Sequence, residues 1–554
     1  MASVQNVSLK QIVALCNSLG HLVDGMMEPN SLAMVIGMTK KVIFTKLISK
    51  VLSEVEQQHP FEKIIHNAAF LYTLETGDDS KVFLLLFKGI MNGIEDMLKD
   101  SNEIEVRRTI LKQISYLKSF LSDIFRNILN FYAVFSYVDF CSTPKELEGL
   151  VLTFFESRFS SNISKKLSHL ICFFLSRSFT DSSQAIDGLN YFVTNFDAFC
   201  TKVIAPVSES RILKGFLLHK RILPVWKYDN MDYFVVILNL PQKSDDAIWE
   251  TTGESFSQRL AHLWDSVNNS LKHLKSLKIS LILTKSGICD DLESFCSQNG
   301  ILIISKVPEE DIDNILHLLN ISSMNNLYDS IDPQNIGCLE SLTSFVVGNI
   351  SFTHLNVSTN NHAYLVPHHI FLCASLEEVL NDYYSECLNC LKAVKQWLQP
   401  IKDKSFLEEK VTKYQKIQKY LENDYDQLLN DSKPNMSSES NTSTYVLGVA
   451  LPLGLFEFGL KNVLADFCTA NVLSVKKLCD ILDSSLLAII HKLWNTPKPF
   501  LVEERNYLEF HEKIKCRIPV PIEPASSKEN LLHRVLQLVE QLIKIDAIVS
   551  TKQL

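Results

Sequence analysis

The chain has 554 residues with 54 Lys plus Arg and 63 Asp plus Glu, a formal net charge of −9. That acidic balance argues against a chain built to neutralise nucleic-acid phosphates. Hydrophobic residues are 46% and charged residues 21%, which excludes a disordered chain, and at about 150 residues per domain the length allows roughly three to four domains.

Glycine is scarce: there are 17, against the roughly 39 that average usage of ~7% gives. Few positions therefore let the backbone approach a phosphate closely. No apolar run reaches the ~18 residues of a membrane span; the longest, 82–87 and 171–175, read as core segments. The opening MASVQNVSLK lacks the apolar stretch of a signal peptide. Thirteen scattered cysteines, an odd number, fit reduced thiols in the cytosol.

Residues 8–200 read as helical, with apolar positions three and four apart: Leu9, Ile12, Val13 and Cys16, then Ile110, Ile114, Leu117, Leu121 and Ile124. The texture changes at 203–220, punctuated by Pro206 and Ser208 to Ser210. Short β-branched runs at 233–240, 279–284 and 300–307 then alternate with helical stretches at 256–276 and 309–319. This βαβα pattern predicts an α/β module near 206–345; taken as 206–350, it is expected to fold alone. A helix pattern returns at 376–396. A second, at 406–429, has heptad-like spacing that predicts packing on its own domain. Residues 431–444 are a polar linker whose deletion is expected to be tolerated. Helices resume at 456–495, 517–524 is extended, and a last helix at 527–544 precedes a strand at 545–550.

No Walker A loop, dinucleotide fingerprint, HExxH or GxSxG occurs. Cys387 and Cys390 form a lone CxxC on a helix, read as one buried and one half-exposed thiol. His368-His369 at a strand start reads as surface. The acidic run 290–293 reads as a solvated helix start. One segment stands out. LETGDDSK, 74–81, sets Gly77-Asp78-Asp79-Ser80 between two helices. There backbone amides and a hydroxyl can face phosphate and a carboxylate can face Mg²⁺.

His59-Pro60 stands 18 residues before Gly77 and is followed by Lys63. With that spacing the segment resembles the HPxxK…GDGTT region of group II chaperonins, the family of the cytosolic TCP-1 chaperonin. Further similarities follow in order. Residues 210–220, SRILKGFLLHK, resemble the entry into the family's apical domain. Gly287, Asp291, Gly300 and Asp311 fall in a segment similar to its apical strand-helix-strand. Residues 370–391 resemble the return through the intermediate domain, and Glu523-Pro524 with Lys528, then Ile545-Asp546, resemble the C-terminal close. Within the family the chain resembles the divergent chaperonin-like Bardet–Biedl syndrome branch, through 205–215, 75–90 and 364–372.

The resemblance implies an α+β multidomain chaperonin fold. It implies equatorial-like parts at 1–140 and 446–554, intermediate-like parts at 141–205 and 351–405, an apical-like domain at 206–350, and an insertion with linker at 406–445. It also implies which chemistry is gone. The family's LGPxG phosphate loop falls on Leu19-Gly20 followed by His21, Leu22 and Val23. Its TNDG loop falls on 45–48, so its metal carboxylate is Leu47. In GDGTT the second glycine is Asp79 and the threonines are Ser80 and Lys81. The hydrolytic Asp is Asn389, and the GGGA turn is reduced to Leu453-Gly454-Leu455, although Glu457 remains. No catalytic residue is left. What remains is at most a weak ATP–Mg site on Gly20, Gly77, Asp78, Ser80, Lys81 and Gly454, with Asp78 as metal ligand. The expectation is a pseudo-ATPase with a chaperonin fold. The branch implies work in the cytoplasm near the ciliary base, with other Bardet–Biedl chaperonin-like proteins and cytosolic chaperonin subunits, on assembly of BBSome subunits. The rival readings are an ATP-hydrolysing folding subunit and a free-standing scaffold.

Overall fold

A computed structural model describes residues 3–6, 8–27, 34–37, 42–54, 59–78, 80–138, 140, 145–180, 184–219, 233–238, 276–277, 279–287, 290–298, 300–324, 332–348, 350–357, 365–399, 446–470, 475–494, 521–545 and 547–550. The chain divides into two compact units. One comprises Met1–Cys172 and Glu386–Leu554, the other Phe173–Ser385. The expected helices at 256–276 (apart from its last residue) and 406–429, and the linker at 431–444, lie outside the described residues.

The first unit opens with β1 (Ser3–Asn6) and α1 (Leu9–Asp24). Ser8 starts α1 with a reciprocal cap: its Oγ accepts from the Gln11 amide at 3.4 Å, and Gln11 Oε1 accepts from the Ser8 amide at 3.1 Å. Strands β2 (Met34–Gly37) and β3 (Val42–Thr45) form an antiparallel pair ahead of α2 (Ile48–Glu54). In α3 (Pro60–Thr76) the cap is His59, whose Nδ1 accepts from the Phe61 amide at 3.3 Å, while Glu62 Oε2 accepts from the His59 amide at 3.2 Å. Pro60 sits at the first helical position, where its fixed φ suits the helix and no donor is missed. Next come α4 (Lys81–Asp100), α5 (Glu103–Ser119), α6 (Leu121–Tyr132), β4 (Val134–Val138), α7 (Lys145–Glu156) and α8 (Ser161–Ser178). The helical reading of 8–200 is thus corrected at β2, β3 and β4. These are four- and five-residue strands, too short to break a helical periodicity visibly.

The second unit follows with α9 (Ala185–Thr194), α10 (Phe196–Phe199), β5 (Cys200–Ile204), β6 (Arg211–Lys214), β7 (Phe216–Leu218), β8 (Tyr233–Leu238), β9 (Ile279–Thr284), α11 (Asp290–Gln298), β10 (Leu302–Ile304), α12 (Glu309–Leu319), β11 (Ile336–Val347), β12 (Ile350–Val357) and β13 (His368–Ala374). Its larger sheet has the order β10-β9-β8-β11-β12-β7, parallel across β10, β9 and β8 and antiparallel beyond. Because β12 lies between β11 and β7, the sheet does not close at residue 350 as the 206–350 module expects. The smaller sheet places β13 between β5 and β6. All of β13 is buried, which corrects the surface reading of its first two residues. His368 is 7% and His369 2% exposed. A central strand covered on both faces exposes neither parity of side chain.

The chain returns through α13 (Glu377–Leu398), β14 (Val446–Pro452), α14 (Leu455–Ala470), α15 (Lys476–Trp494), β15 (Ile522–Pro524), α16 (Ala525–Ile543) and β16 (Ala547–Ser550). β16 pairs antiparallel with β1, and β14 lies between β4 and β15. On α13, Cys387 and Cys390 are both buried, not one in and one out. Positions i and i+3 share a helix face, so covering one covers the other. The first unit's core gathers α1, α3, α4, α5, α6, α14, α15 and α16, with α4 contributing Phe83, Leu86, Phe87, Ile90 and Ile94. No described helix is long and apolar enough to cross a membrane.

Candidate functional site

The Gly77 turn between α3 and α4 is closed by backbone geometry. Gly77 has φ +74° and its amide donates to the Thr73 carbonyl at 2.8 Å. A Cβ there would stand 2.1 Å from the Asn389 carbonyl oxygen of α13, so glycine is required twice, for the left-handed turn and for the close approach. The fold therefore brings together two positions far apart in sequence, Gly77 and Asn389. Gln396, about two turns further along α13, donates Nε2 to the Glu75 carbonyl at 2.9 Å and extends this contact.

The side chains at the junction form an ionic network that the sequence reading did not single out. Arg158, between α7 and α8, places Nε 2.6 Å from Glu386 Oε2 and an Nη 3.5 Å from Asp78 Oδ1. Arg158 is 5% and Glu386 2% exposed at the side chain. The guanidinium also donates to the Phe154 carbonyl and Ser157 Oγ, each at 2.7 Å, and lies 3.7 Å from the Phe154 ring centre. The other Asp78 oxygen accepts from the Tyr72 hydroxyl at 3.2 Å. Asn389 Nδ2 donates to Glu386 Oε1 at 3.0 Å and its Oδ1 accepts from Lys392 at 3.5 Å. Burial pulls the Lys392 ammonium below its ordinary pKa. Burial and the Asp78 carboxylate push the Tyr72 phenol up. A signal for Arg158 was present: it falls four residues after Phe154 and three after Phe155, on the apolar face of an otherwise hydrophobic stretch.

A second network lies at the start of α16 in the same unit. Lys528 Nζ is 3.0 Å from Glu457 Oε1 and 2.9 Å from Glu523 Oε2. Lys528 and Glu457 are almost fully buried. Burial and the neighbouring Glu457 push the Glu523 carboxyl up to about 7, against the pull of Lys528. Burial opposes the Lys528 charge, but Glu457 and Glu523 hold its pKa well above the ordinary lysine value.

The family model of the TCP-1/cpn60 chaperonins matches residues 29–404, more than half of the chain. The chain belongs to the TCP-1/cpn60 chaperonin family. It is 21% identical over 392 residues to the BBSome complex assembly protein BBS10 of Homo sapiens and, over the same length, to that of Pongo abelii, covering 65% of this chain and 53% of each relative. The chain thus spans about half the length of the curated relatives it matches. In fold it is similar to a group III chaperonin solved in the open state, with a TM-score of 0.65 and 14% identity over 98% of both chains. The fold class is therefore the α+β chaperonin architecture, in a divergent member resembling BBS10.

As a chaperonin-family member the chain invites a test of whether its residues fit ATP and Mg²⁺. They do not fit in the arrangement they take. Leu19, Gly20, His21, Leu22 and Val23 lie inside α1 rather than in a phosphate loop. The amides there face the preceding turn, and the Lys88 side chain lies where a Gly20 Cβ would be, 2.3 Å away. Leu47 is buried with its amide donating to Thr45 Oγ1 at 3.1 Å. Asp78 has one oxygen toward Arg158 and the other toward Tyr72. Ser80 is buried, donates to the Ala69 carbonyl at 3.0 Å and shares a 2.5 Å hydrogen bond with Thr73. Lys81 is 5% exposed in the first turn of α4. Gly454, φ +78°, starts α14, with its carbonyl 3.4 Å from the Phe458 amide. Of the sequence-predicted residues, Gly77, Asp78 and Asn389 come together; Asp79 lies outside the described residues.

Proposed function

We propose that this chain is a chaperonin-like subunit that assists assembly of the BBSome for ciliary trafficking without hydrolysing ATP. It acts in the cytoplasm near the ciliary base, with other Bardet–Biedl chaperonin-like proteins and cytosolic chaperonin subunits. The observation that carries the reading is the junction at Asn389. An amide cannot take a proton from water, so the general base, worth about 10²–10⁴ in rate, is absent there. Asp78, the carboxylate that the family resemblance assigns to the metal, faces a guanidinium instead. The similarity to proteins named for BBSome complex assembly supports the choice of client.

Two measurements test it. Steady-state phosphate release by the purified full chain, beside an active chaperonin, should show no turnover; chaperonin-like turnover would favour an ATP-hydrolysing folding subunit. Affinity purification at endogenous expression from ciliated cells should recover chaperonin subunits and BBSome components. Their absence would favour a free-standing scaffold.

A further inference from the structure

We propose that Arg158 is the resident cation of this site: its guanidinium, set between Asp78 and Glu386, holds the Glu386–Leu398 part of α13 against the Gly77 turn with no need of metal or nucleotide. The inference rests on the non-hydrolysing reading above and goes further, because it assigns a cause to the site's failure to fit Mg²⁺. The geometry is that of a built ion pair rather than a surface accident. Arg158 is 5% exposed, its Nε is 2.6 Å from a carboxylate that is itself 2% exposed, and a second carboxylate stands 3.5 Å away. The guanidinium is pinned by the Phe154 carbonyl, by Ser157 Oγ and by the Phe154 ring at 3.7 Å. It is therefore not an adaptable surface arginine.

Each carboxylate is also anchored on its far side. Tyr72 donates to Asp78 and Asn389 donates to Glu386. Two carboxylates held by separate elements, with a positive charge set between them, is the pattern by which a divalent ion bridges a loop and a helix. Here the bridging charge is covalently part of the chain. It cannot dissociate, so the loop and α13 stay joined whatever the nucleotide state. A metal ion would have to displace a planar guanidinium that is already bonded on several edges. Asn389 fits the same design. An aspartate there would add a third carboxylate beside Glu386, whereas the amide donates to Glu386 and accepts from Lys392.

The experiment is thermal unfolding of the full chain with and without millimolar MgCl₂, for wild type, Arg158→Met, Glu386→Gln and the double variant. Wild type should ignore Mg²⁺. Arg158→Met should lower Tm by about 5 °C or more, because a buried carboxylate loses the counter-charge that lies 2.6 Å from it, and Mg²⁺ should recover part of the loss. Adding Glu386→Gln should raise Tm above that of Arg158→Met and abolish the Mg²⁺ response, since glutamine keeps an acceptor for Asn389 but carries no charge. Additive losses in the double variant, or an Arg158→Met protein indifferent to Mg²⁺, would overturn the proposal. So would a wild-type Tm that rises with MgCl₂. Should Arg158→Met not fold, Arg158→Lys keeps it testable: it should lose less and stay indifferent to Mg²⁺, and a Mg²⁺-dependent rise in its Tm would count against a resident charge. Phosphate release by wild type bears on the non-hydrolysing reading alone. Its failure is thus distinguishable from a missing coupling between Arg158 and Glu386.

Discussion

At Gly77 the backbone leaves no space for a side chain. Alanine there would meet the left-handed φ of +74° and an approach of 2.1 Å to the Asn389 carbonyl. The conformational term costs about 1–2 kcal/mol, and the clash adds to it because backbone cannot swing aside as a flexible side chain can. Gly77→Ala should therefore lower the urea midpoint with little change in slope. Asn389→Asp is the more informative substitution. It restores the residue type of an active chaperonin, yet it removes the donor that Nδ2 offers to Glu386 and places a second negative charge beside a buried one. Destabilisation of about 1–3 kcal/mol is expected, with no phosphate release gained, since a base without a fitted metal and phosphate has nothing to act on. Turnover appearing in this variant alone would show that the phosphate site is intact.

Among elements, β13 carries a pH dependence of its own. His369 is buried with Nε2 2.7 Å from Thr201 Oγ1, and burial pulls its pKa down to about 3; burial likewise pulls His368 down to about 4. Their unfolded values lie near 6.5. Between those limits the unfolded chain binds more protons, so stability rises with pH; the contribution is complete above about 6.5 and is lost as pH falls toward 4 and 3. Acid unfolding of the second unit should thus begin below about pH 6.5, and His369→Gln should make it shallower; an unchanged acid limb would contradict this. The start of α16 has the opposite sign. Glu523 titrates near 7 when folded and near 4.3 when unfolded, so its contribution is complete below the unfolded value and is lost as pH rises toward 7. Glu523→Gln should flatten that decline in the first unit. Lys528→Met, by contrast, leaves Glu457 and Glu523 without their shared cation. It should cost about 3–5 kcal/mol and fail to accumulate as folded protein at physiological temperature.

At the scale of the whole molecule, the chain enters and leaves the second unit inside α8 and α13. A fragment ending at 350 severs β12 from the sheet in which it joins β11 to β7. It also discards Phe352 and Phe371, which pack edge to face at 5.4 Å in the core beside Val203 and Leu217. Fragment 206–350 should therefore remain poorly folded. Fragment 173–385 keeps both sheets and should unfold cooperatively. Circular dichroism and a thermal melt of the two would decide, and a cooperative transition in the shorter fragment would contradict the argument.

Much of the local structure was legible from residue order. The glycine between α3 and α4 and the alternation of β8, β9, α11, β10 and α12 follow from rules acting over a few residues, whereas the reciprocal caps at Ser8 and His59 came into view only with the structure. That position 389 carries an amide is equally legible, while its reading as a lost base rests on the family resemblance. The tertiary structure decided which residues share a place. Arg158, Asp78 and Glu386 are separated in sequence by tens to hundreds of residues, and only the packing of α13 on the Gly77 turn brings one cation between two carboxylates. The same is true of His368 and His369, which become interior only because β13 falls between β5 and β6. Periodicity reports which face of an element is apolar. Burial of a charge or an imidazole depends on which partner covers it, and that partner comes from elsewhere in the chain.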